Sequence, residues 1–61
     1  MTYQATWLIT ALDGESSGQV KSHDSGLAIV HAALEAAHDM TGMRLQKPTS
    51  LQIELLVVTA V

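Results

Sequence analysis

A period of two runs through residues 3–12. Tyr3, Ala5, Trp7, Ile9 and Ala11 point one way, and Thr2, Gln4, Thr6, Leu8, Thr10 and Leu12 the other. One wholly apolar set at this spacing predicts a strand half-buried on a sheet. Asp13-Gly14-Glu15-Ser16-Ser17-Gly18 follows, and its glycines and short polar side chains suit a hairpin loop, with Gln19 to Lys21 as a short return strand. Between Asp24 and Thr41 the period changes: Leu27, Val30, Leu34 and Ala37 recur at three- and four-residue intervals, which predicts a helix. Ser22 or Asp24 can accept the orphan N–H groups at its start, and Gly42 suits a left-handed residue just past its end. In the connector from Arg44 to Thr49, Pro48 bars helical continuation and drives Lys47 toward an extended conformation. Leu51 to Val61 alternates again and is rich in β-branched residues. Leu51, Ile53, Leu55 and Val57 share one face, while Gln52, Glu54, Leu56, Val58 and Ala60 share the other.

These elements predict an α+β fold in the order β-β-α-β: a three-stranded antiparallel sheet, strand order 2-1-3, with one helix packed on one face. The helix stripe is expected to meet Trp7, Ile9, Ile53 and Leu55. No repeat, low-complexity segment or linker breaks the chain, so residues 1–61 form a single domain. Folding so short a chain hides only about 60% of the surface its unfolded form exposes. Phe is absent and Tyr3 and Trp7 are the only aromatics, so the core falls to Leu, Ile, Val, Ala and Met. There is no Cys, hence no disulfide and no thiolate metal site. Association with a copy of itself or with another protein is an ordinary remedy for a core this thin.

Six acidic residues against three basic ones give a net charge of -3. Lys21, Arg44 and Lys47 form no cluster of the kind that neutralises phosphates, so direct nucleic-acid binding is not expected. The acidity favours a protein partner with a basic surface. Met1-Thr2-Tyr3-Gln4 offers neither the basic start nor the apolar run of a secretory signal. The apolar run from Leu55 to Val58 is far short of the roughly 20 residues of a membrane helix. The expectation is a cytoplasmic protein that does not engage a membrane.

Two surfaces are candidates for contact. The second sheet face carries Leu8, Leu12, Leu56 and Val58 among Thr and Gln; if Leu8 and Leu56 are neighbours, partner docking or sheet-to-sheet dimerisation is the natural use. On the helix, a step of about 100° per residue places Asp24, Glu35 and Asp39 with Ala28 and Ala32 on the outward arc. Small alanines between carboxylates would make a low acidic ridge that a basic helix or loop could approach.

Apparent catalytic motifs have simpler explanations. His31 and His38 are separated by roughly 10 Å along a helix axis, too far for one compact metal ion, so pairing of either with Glu35 is expected instead. Gly14-Glu15-Ser16-Ser17-Gly18 matches the G-x-S-x-G of a nucleophile elbow, but that elbow needs a strand-to-helix turn in a large parallel sheet. Ser22-His23-Asp24 holds triad residue types in succession, whereas a triad requires convergence in space.

The succession of a hairpin, then Gln19-Val20-Lys21-Ser22-His23-Asp24-Ser25 leading into an Ala-rich helix, then Pro48-Thr49-Ser50 before a last strand resembles a shortened HicB-type antitoxin domain. That resemblance implies a fold related to double-stranded-RNA-binding domains and neutralisation of a toxin by protein contact. The Pro-rich, Gly-containing segment expected before the helix is missing, and no functional residue carries over. As a class, very short, acidic, Cys-free domains are similar to phage-encoded inhibitors of bacterial defence, anti-CRISPR proteins among them. The class implies an acidic surface that occupies a nucleic-acid-binding site; no motif defines it, and Glu35 and Asp39 are candidates by placement alone. The sequence thus predicts a non-enzymatic inhibitor or interaction module with no catalytic residue, metal or cofactor. The alternatives are a HicB-like antitoxin and a small homo-oligomeric structural protein.

Overall fold

The computed structural model describes residues 1–42 and 47–59 of the chain. It contains strand β1 (Thr2–Ala11), strand β2 (Gly14–Ser22), helix α1 (Ser25–Thr41) and strand β3 (Pro48–Thr59). The strands form one sheet in the order β2-β1-β3, with β1 antiparallel to both neighbours. This is the predicted α+β arrangement, with the helix on one face. Alternation in β1 works as expected: Ala5, Trp7 and Ile9 are buried beneath the helix, and the residues between them face the other way.

The hairpin is tighter than the sequence suggests. Instead of a loop over residues 13–18, the turn is only Leu12 and Asp13, and Ala11 pairs with Gly14. Gly14 lies at φ 150°, a conformation that side chains resist. β2 then runs nine residues rather than three. Low strand propensity in Glu-Ser-Ser-Gly is overridden by continuous pairing to β1 and by a packing demand at Gly18. The Trp7 indole lies over that glycine, where an added Cβ would sit 2.7 Å from the ring.

At the helix start Asp24 is the cap: its Oδ1 accepts from the Leu27 N–H at 2.9 Å. Ser22 instead accepts from the Asp24 N–H at 3.2 Å. At the far end Gly42 is not left-handed (φ -91°); its N–H and the Thr41 hydroxyl both donate to the His38 carbonyl, which closes the last turn without a left-handed residue. Lys47 is not extended either. It lies at φ 54°, in the left-handed region, where the backbone turns into β3. β3 begins at Pro48, earlier than expected, with proline at the first strand position where no ladder N–H is needed. Residues 44–46 of the expected connector and residues 60–61 of the expected strand lie outside the described residues, as does residue 43.

The largest departure is the rotation of α1. Ala28, Ala32 and Ala36, one turn apart, are fully buried against the sheet, whereas Leu27, Val30 and Leu34 are exposed. The reason is steric. The Trp7 indole fills the space between sheet and helix, and only methyl side chains let the helix lie close over it. Among the described residues the core consists of Ala5, Trp7, Ile9, Ala28, Ala32 and Ala36, with Tyr3, Val20, Met40 and Ile53 packed at its margin.

Candidate interaction surface

The second sheet face is set by register. Leu8 stands opposite Ser17 on β2 and Gln52 on β3, while Leu56 stands opposite Gln4. Leu8 and Leu56 are therefore not neighbours: four residues of β1, about 13 Å, separate their levels, with Thr6 and Glu54 between. Leu12 is in the hairpin turn, and Val58 is the extra residue where pairing shifts between Thr2–Thr59 and Tyr3–Val57. No joint apolar patch forms from these four. A shallow depression of about 190 Å³ lined by Thr6, Leu8, Gln52 and Glu54 occurs here, smaller than the roughly 300 Å³ at which ligand pockets begin.

The acidic residues do not form a ridge either. Ala28 and Ala32, expected between them on the outside, are buried. Asp24 caps the helix. The Trp7 Nε1–H donates to Glu35 Oε1 at 3.3 Å, so this carboxylate serves the protomer's own core residue. Asp39 is half-buried, on the sheet-facing side, some 22 Å along the axis from Asp24.

His31 and His38 are exposed on the flank that bears Glu35. His23 lies elsewhere: its Nδ1 is 3.2 Å from the Met1 carbonyl, which can only accept, so Nδ1 carries the hydrogen. Among the described residues no group of three His, Asp or Glu side chains is placed to hold a metal ion. Ser16 of the G-x-S-x-G match is a mid-strand residue of β2 opposite Ile9, and both glycines are accounted for by the turn and by Trp7.

What the structure does assemble is an apolar surface on the helix side. Rotated about 180° from Ala32 on the helix are Val30 and Leu34, with Leu27 beside them and Ile29 on the flank above β3. Leu34 is 62% exposed, and Leu27 and Val30 are each 51% exposed. Next to them lies the helix-side face of β3. Val57, Leu55 and Leu51 stand opposite Tyr3, Ala5 and Ile9, so they point to the same side as the core, yet all three are exposed. They are uncovered because α1 lies over β1 and β2 more than over β3. Seven large aliphatic side chains are thus exposed on the helix side of the sheet. The sequence did carry a signal for this. α1 is apolar on three sides, its polar residues being confined largely to the Glu35 flank, and such a helix is normally buried all round.

Among the described residues no helix is long and apolar enough to cross a membrane. Compared with known proteins, the chain matches no family model, no curated protein and no solved structure.

Proposed function

We propose that this protein is a non-enzymatic binding module whose contact surface is the apolar face formed by α1 and β3. The observation that carries this is the exposure of Leu27, Ile29, Val30 and Leu34 beside Leu51, Leu55 and Val57 in a chain whose own core is mostly alanine. Fully burying one such side chain is worth about 1.5–3 kcal/mol. Each is already about half covered, so a partner on this face would gain on the order of 5–10 kcal/mol before the costs of association. Contiguous apolar faces of this kind mark protein contact sites. An acidic surface directed at a basic partner draws on the net charge of -3, but Asp24 and Glu35 are engaged inside the protomer.

Photo-crosslinking in cells tests the assignment. A benzophenone amino acid at position 34 is expected to give discrete protein adducts, and the same probe at Thr6, on the polar sheet face, to give none. Adducts from position 6 with none from position 34 would refute the proposed face.

A further inference from the structure

We draw no further inference here: the strongest candidate, the outer edge of strand β3 next to the aliphatic surface described above, has no partner strand among the described residues, and nothing in the structure shows what covers it.

Discussion

Trp7 and Gly18 act as one packing unit. The indole is 4% exposed, sits on the glycine across the strand pair, and donates its N–H to Glu35 on the helix above. A methyl group at position 18 would meet three ring atoms at 2.7 Å, and the ring cannot retreat because α1 closes over it. Gly18→Ala is therefore expected to destabilise the fold by about 1–3 kcal/mol, the usual cost of overpacking a filled core. Urea unfolding followed by Trp7 fluorescence measures this, and an unchanged midpoint would show that the indole has room to move. Alternation alone placed Trp7 inside. The role of Gly18 was not legible, because the residue facing Trp7 across the strands depends on turn length. A two-residue turn brings Gly18 there, and the longer loop suggested by Ser16 and Ser17 does not.

The helix shows how a correct element can carry a wrong orientation. Period and caps located α1, but two apolar stripes run along it, and the stripe with larger side chains was the natural one to turn inward. The sheet selects the other. Ala28, Ala32 and Ala36 fit over the indole, whereas Leu27, Val30 and Leu34 would not. Ala32→Leu should accordingly lose about 1–3 kcal/mol of stability, as a larger side chain is forced into a closed seam. Thermal unfolding checks this, and a neutral Ala32→Leu would reverse the assigned rotation of α1. The same rotation explains why the candidate carboxylates disperse: Asp39 turns toward the sheet and Glu35 toward Trp7.

For the whole molecule, the decisive quantity is the balance between what the protomer buries and what it leaves outside. Among the described residues four of the six buried ones are alanine, and Trp7 and Ile9 alone bring large side chains to the core. The accessible surface of 4166 Å² exceeds the roughly 3,800 Å² expected for a compact monomer of 6.5 kDa. Strand order and the one-sided placement of the helix were legible in the sequence, since alternation and turn residues suffice for them. The contact surface was not, because it depends on helix rotation and on how far α1 reaches across the sheet. Both are settled by packing between distant segments.

Contact through the α1 and β3 face is the central claim, and photo-crosslinking from position 34 compared with position 6 tests it most directly. The account predicts discrete protein adducts from a probe at position 34, among the exposed aliphatic side chains, and none from position 6 on the other face of the sheet. Adducts from position 6 with none from position 34 would contradict it, because the contact would then lie on the opposite side of the sheet.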